Sequence, residues 1–273
     1  MNCRFCDEEL IHSMIDLGMS PLSNAYLDTK SLQSEELFYP LQIFVCHKCL
    51  LVQLSKNVEA PEKIFSKYLY FSSFSKTWLT HTEQFANYAI KEFLLNEKKQ
   101  VIEIASNDGY LLQHFKNKNI PILGIEPASN ISKFAEKKGI KTINKFFGEK
   151  TANELIENGY EADLLIAINV LPHVPEIKDF LKGIKKILKH DGVCMIQFSR
   201  YMLPFLRDTE FDSIYHEHFS YFSLLSIQKI LTSFKLEIFN VEELSIHGGS
   251  LRIFVKHEEN TIIKMNKSVE KLL

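Results

Sequence analysis

The sequence predicts an α/β protein: a doubly wound, mostly parallel sheet with a small metal-stabilised module in front of it. Three observations predict it. From residue 101 onward, apolar stretches of strand length alternate with amphipathic helical stretches. Two more strand-like stretches close the sequence after the fifth of these, and two Cys-x-x-Cys pairs stand in its first fifty residues.

Taken in order, residues 1–57 carry Cys3 and Cys6, then Cys46 and Cys49, with a turn-prone Gly-Met-Ser-Pro-Leu-Ser-Asn stretch at 18–24 between the pairs. Two residues between cysteines let both thiolates face one ion from a tight turn, and two such turns complete the tetrahedron that zinc accepts. A redox reading needs a Cys-x-x-Cys that opens a helix in a βαβ setting, and neither pair has that context. Residues 1–57 are therefore expected to form a zinc-binding domain with a closed, structural Zn2+ site, and His47 is expected to stand outside it. Five cysteines, with Cys194 alone, do not suit a secreted disulfide framework.

Residues 58–98 read as a helical lid or linker. Ile64, Tyr68, Phe71, Leu79, Phe85, Tyr88 and Phe93 recur at helical steps, interrupted by the aromatic and hydroxyl-rich stretch at 68–75. Residues 99–273 hold the main domain. Strands are expected at 101–105, 122–126, 141–144, 162–168 and 192–198, with helices at 110–116, 130–138 and 177–189 between them. A helix at 224–234 and strands at 236–241 and 250–256 follow. Five parallel strands with right-handed crossovers and two closing strands fit a Rossmann-like class I methyltransferase sheet.

The bulk numbers leave room for one large domain and an appendage: 273 residues, 45% hydrophobic, net charge −2. Lysines are scattered, so no footprint for a nucleic acid or an anionic membrane stands out. No uncharged apolar run approaches a membrane span, and the first residues lack a signal-like apolar core. The expectation is a cytoplasmic protein that acts on a small molecule.

The turn after the first strand runs Glu103, Ile104, Ala105, Ser106, Asn107, Asp108, Gly109, at the crevice where open α/β sheets bind ligands. It lacks the Gly-x-Gly-x-x-Gly that a pyrophosphate needs, which argues against NAD or FAD. S-adenosylmethionine carries no phosphate. Glu103 and Asp108 can serve its ammonium group, Gly109 admits the backbone closely, and Glu126, ending the second strand before Pro127, stands where an acid accepts ribose hydroxyls. Phe146 and Phe147, after the third strand, are candidates for bracketing adenine or for core packing, and Asn169 and His173 lie at the same carboxyl edge of the sheet.

The densest polar cluster is Tyr215-His-Glu-His-Phe-Ser-Tyr-Phe-Ser223. Its histidine pair could bind a metal from one face of a strand, or pack at the surface with no chemical role. At this point the sequence resembles the sugar C-methyltransferases of deoxysugar biosynthesis. The resemblance rests on the two Cys pairs, Tyr-x-Tyr-x-Ser-Ser at 68–73, the 103–109 loop, Gly-Ile-Glu-Pro at 124–127, Asn169-Val-x-x-His-Val174, Tyr-His-Glu-His at 215–218 and His-Gly-Gly-Ser-Leu-Arg at 247–252.

That resemblance implies a nucleotide-linked or related 4-keto-6-deoxysugar, deprotonated alpha to its ketone before it takes the methyl group. His218 matches the family's general base, an imidazole suited to the task near neutral pH. Glu217 is implied to orient or polarise within the site, and Tyr215, His173 and Tyr70 to donate hydrogen bonds to the enolate oxygen. The family's C-terminal domain extends well beyond residue 252, whereas this sequence ends at Leu273, which implies either a shortened chain or a smaller acceptor without the nucleotide. The alternatives are O- or N-methylation of a small acceptor by the same fold, and a non-catalytic zinc-ribbon binding protein.

Overall fold

A computed structural model describes residues 1–24, 26–55, 65, 68–199 and 202–273. The helical stretch expected to begin near residue 60, with Ile64, and the boundary expected at 57/58 lie outside the described residues. Two sheets organise the rest.

The larger sheet has seven strands. β4 (Val101–Ile104), β5 (Ile122–Ile125), β6 (Thr142–Ile143), β7 (Ala162–Ile168) and β8 (Leu188–Ser199) are parallel, while β10 (Leu236–Leu244) and β11 (Ser250–His257) close it antiparallel, in the order β10-β11-β8-β7-β4-β5-β6. β7 is buried along its whole length. Its odd and even residues serve different cores: Leu165 and Ala167 join one cluster, Leu164, Ile166 and Ile168 the other. Strands covered on both faces are mostly apolar, and this is why they read as apolar runs broken by single acids, Glu103 in β4 and Asp163 in β7.

Helices cover both faces. α1 (Lys76–Glu92) and α2 (Leu112–Lys116) pack one core with Trp78, Phe85, Ala89 and Phe115. α3 (Ser129–Lys137), α4 (Glu149–Glu157) and α5 (Ile177–Ile187) follow the next strands. Along α5, Ile177, Phe180, Leu181, Ile184 and Ile187 are buried, one stripe at helical spacing. α6 (Met202–Arg207), α7 (Leu224–Thr232) and α8 (Lys267–Leu272) complete the helices described. Strand order reverses at β4, which has β5 on one side and β7 on the other, so a crevice opens at its carboxyl end.

The smaller sheet is antiparallel, β1 (His12–Ser20), β2 (Tyr39–Val45), β3 (Val52–Leu54) and β9 (Ser220–Tyr221) in that order. Its fourth strand lies outside residues 1–57, where the zinc-binding domain was expected, and comes from far along the chain. Val52 pairs with Tyr221 and Gln53 with Ser220. Beneath them Ile43, Val52 and Leu54 share a core with Phe205, Ile214 and Phe219. No described helix is long and apolar enough to cross a membrane.

Candidate active site

A cavity of about 760 Å³ opens at the carboxyl end of β4 and β7. Ala105, Asn107, Glu126, Pro127, Phe147, Asn169, His173, Tyr70, Tyr215 and His218 all line it. The loop after β4 reaches it through unusual backbone: Ala105 at φ 55° and Asn107 at φ 48° are both left-handed without being glycine. Glu126 fixes that shape. One carboxylate oxygen accepts the Asn107 amide at 2.9 Å and the other accepts the Ala128 amide at 2.8 Å. Burial pushes its carboxyl up to about 7. Asn144 holds the same corner from the other side, donating to the carbonyls of Glu126 at 2.7 Å and Pro127 at 2.9 Å.

Four residues of the expected cofactor set lie behind this wall. Glu103 is fully buried, and burial holds its carboxyl well above the ordinary range. Ser106 is buried under β5, its amide donating to the Ile125 carbonyl. Asp108 turns from the cavity to accept from Ser73 Oγ and to pair with Lys138 at 3.1 Å. Gly109 is needed for its own packing: at φ 77° a Cβ would stand 2.2 Å from Ile140 Cδ1. Asp108 and Gly109, expected to serve the cofactor directly, through water or by close approach of the backbone, make the loop's shape here, through the Ser73 contact and the Ile140 packing.

The residues expected to be catalytic are ordered by backbone carbonyls. His218 Nδ1 lies 2.9 Å from the Ser213 carbonyl, which can only accept, so Nδ1 carries the proton. Its Nε2 then presents a lone pair, 2.8 Å from the Tyr215 hydroxyl that donates to it. His173 is fixed the same way, with Nδ1 donating to the Glu217 carbonyl at 2.8 Å. Burial holds its imidazole down at about 4, so it is neutral near pH 7. The two rings tilt together at 4.7 Å between centroids. A neutral imidazole whose proton is committed at Nδ1 offers an acceptor to the cavity, which reverses the expectation that His173 donates to an enolate oxygen.

Glu217 also departs from expectation. Its carboxylate does not line the cavity; it accepts from Asn24 Nδ2 at 2.8 Å, in the loop between β1 and β2. Burial raises its pKa, which the Asn24 bond partly offsets. His216 points away from His218, its Nε2 3.3 Å from the Pro40 carbonyl, so the pair does not converge on a metal.

The four cysteines do converge. Sγ atoms of Cys3, Cys6, Cys46 and Cys49 lie within 4.8 Å of one another, with Cys3 to Cys49 at 3.6 Å and Cys6 to Cys46 at 3.5 Å. Thiolates about 2.3 Å from a tetrahedral zinc stand about 3.8 Å apart, so the set fits that ion. Gln53, buried in β3, donates to Cys3 Sγ at 3.1 Å and accepts the Arg4 amide at 2.9 Å. Neither Gln53 nor Asn24 carried a signal in the sequence, since each acts on a partner far along the chain.

Residues 78–241 match the family model of a methyltransferase domain, and residues 3–65 match that of a zinc binding domain. The chain is 29% identical over 252 residues to the C-methyltransferase NovU of Streptomyces niveus, an alignment covering 92% of this chain and 60% of that protein. It therefore spans about 60% of that relative's length. In structure it resembles an S-adenosylmethionine-dependent methyltransferase of Clostridium acetobutylicum, with a TM-score of 0.51 at 14% identity, over 66% of this chain and 92% of that one. It also resembles the magnesium protoporphyrin IX methyltransferase of Synechocystis, solved with bound SAH, with a TM-score of 0.50 at 13% identity over 65% and 82% of the two chains. At such identities the likeness speaks to the fold.

Proposed function

Because the chain belongs to the methyltransferase-domain family, an S-adenosylmethionine-dependent methyltransferase carrying a zinc-binding module, we propose that it methylates a carbon next to the ketone of a sugar-like acceptor, in the manner of a keto-deoxysugar C-methyltransferase. The observation that carries this reading is His218. Its Nε2 lone pair lines the same cavity as Glu126, with a phenol already bonded to it.

Bound S-adenosylmethionine supplies the electrophilic methyl group. Glu126 is the residue to accept the ribose hydroxyls, since each oxygen keeps acceptor capacity beyond its one amide. Ala105 and Asn107 would flank the amino-acid end, and Pro127 and Phe147 the adenine.

On the acceptor, the Tyr215 hydroxyl turns off His218 Nε2 to donate to the ketone oxygen, and the lone pair it leaves takes the proton alpha to the ketone as the C–H electron pair passes to that oxygen. Tyr70 from the lid can add a second donor to the enolate oxygen. His173 and the Ser213 carbonyl keep the ring oriented. The electron pair returning to carbon would form the new C–C bond as the methyl group's bond to the cofactor's sulfur breaks with its pair left on sulfur, giving S-adenosylhomocysteine, and the proton on His218 leaves to solvent.

The test is hydrogen exchange on a nucleotide-linked 4-keto-6-deoxysugar in heavy water, without methyl donor. Deuterium should enter alpha to the ketone with the natural protein and not with His218→Ala. A methyl group found on oxygen or nitrogen, with no exchange at carbon, would replace this reading with the other transfer chemistry.

A further inference from the structure

The stretch at residues 68–75 is fastened to the cofactor side of the cavity by side chains that imitate a strand. Asn130, at the start of α3, accepts the Tyr68 amide at 3.1 Å and donates to the Tyr68 carbonyl at 2.7 Å. Asn107 donates to the Tyr70 carbonyl at 3.0 Å and accepts the Ser72 amide at 2.9 Å. Asp108 takes the Ser73 hydroxyl. Backbone positions 68, 70 and 72 are therefore read on one side as an edge strand is read by its neighbour, with two carboxamides in place of the neighbour's peptide groups.

We propose that Asn107 and Asn130 are positioning residues that clamp this segment over the cavity, and that Asn107 ties the cofactor-binding acid Glu126 to the placement of Tyr70. The inference rests on the reading that Tyr70 serves the acceptor and Glu126 the cofactor.

The linkage is short. The same asparagine gives its backbone amide to Glu126 and its side chain to Tyr70 and Ser72. Its left-handed backbone, at φ 48°, is the conformation asparagine tolerates best among residues with a side chain, and it lets amide and carboxamide face opposite ways. Both carboxamides pair in both directions, oxygen to N–H and nitrogen to C=O, so neither flips without losing two bonds. Tyr68 and Phe65 close the cavity above His173, Phe65 with its ring 5.5 Å from the imidazole, so the clamped segment borders the acceptor end as well. Ligand held by Glu126 therefore stiffens the loop on which the clamp is mounted, and opening the clamp withdraws Tyr70.

Trp78 gives a direct readout. It is the single tryptophan of the chain, it lines the cavity, and its amide is capped by Ser75 at the end of the clamped segment. S-adenosylhomocysteine added to the natural protein should change Trp78 emission and slow amide exchange across residues 68–75. In Asn107→Ala, compared at S-adenosylhomocysteine concentrations that saturate each protein, that protection should fall by about tenfold or more. Asn130→Ala should speed exchange of the same segment without ligand and leave the melting transition cooperative. Asn107→Asp, which keeps the acceptor for Ser72 and loses the donor to Tyr70, should restore part of the protection and lower the turnover number more than it raises the cofactor KM. Exchange at 68–75 unchanged in both alanine variants would overturn the clamp. Failure of S-adenosylhomocysteine to bind the natural protein would instead sink the cofactor reading, and transfer to oxygen with normal protection would sink only the acceptor reading.

Discussion

Asn24 donates to the Glu217 carboxylate at 2.8 Å across 193 residues of sequence, joining a loop of the zinc-binding module to the residue beside the proposed base. The contact is one of a set. Leu54 donates its amide to the Phe219 carbonyl at 3.1 Å, His216 reaches the Pro40 carbonyl, Arg4 lies over the Phe219 ring, and β9 completes the module's sheet. The segment that holds His218 thus leads directly into a strand of the zinc module's sheet. Glu217 at the same time fixes His173 through its carbonyl.

Zinc removal should therefore silence the base and spare the cofactor side. Glu126, Asn107 and Pro127 follow β4 and β5 and are held by one another and by Asn144. Stripping the metal, or Cys46→Ser, should lower the deuterium-exchange rate at the acceptor by about 10²-fold or more, the usual contribution of a positioned base. S-adenosylhomocysteine affinity measured by calorimetry should stay near that of the intact protein. Equal loss of both activities would mean that the module is needed for the whole fold.

Cofactor affinity should depend on pH through Glu126. Its carboxyl, raised by burial to about 7, takes up a proton on folding between its ordinary 4.5 and that value. Its contribution to stability therefore declines as pH rises from about 4.5 to about 7, while its power to accept from ribose hydroxyls grows over the upper part of the same range. S-adenosylhomocysteine binding should strengthen from pH 6 to 8, by up to about tenfold per pH unit below 7. Glu126→Gln should bind more weakly and show a flat profile; a slope that survives in this variant assigns the titration to another group.

The parallel strands were legible because burial on both faces keeps them mostly apolar, and Glu126 stood out because it is an acid at the end of such a strand. The four cysteines were legible from spacing alone. What escaped was set by backbone or by distance along the chain. The tautomers of His173 and His218 depend on two carbonyl oxygens, which have no residue signature. β9 is two residues long, too short for any alternation to declare it. The partnership of Glu217 with Asn24, and of Asn130 with Tyr68, exists only once the two sheets have met.

Acid should unfold the protein in part through His173. Held near 4 against an ordinary 6.5, the buried imidazole binds its proton in the unfolded chain before the folded one, so stability falls as pH drops from about 6.5 to about 4. The full effect is up to about 3 kcal/mol. Urea midpoints measured across that range should move less in His173→Gln than in the natural protein, and equal slopes in the two would remove His173 from the account.

Gly109→Ala should damage the fold before it damages chemistry. Position 109 is left-handed at φ 77°, where a side chain is strained, and the new methyl would meet Ile140 Cδ1 at 2.2 Å and approach Ala135 at 3.6 Å. Ile140 is buried, so it has little room to move aside. The two effects together should cost roughly 2–4 kcal/mol in a denaturant titration. Ile140→Ala on that background separates them: it removes the clash and leaves the strained backbone. The double variant should then lose less than the sum of the two single losses, whereas simple additivity would show that the Ile140 contact is not what makes glycine necessary there.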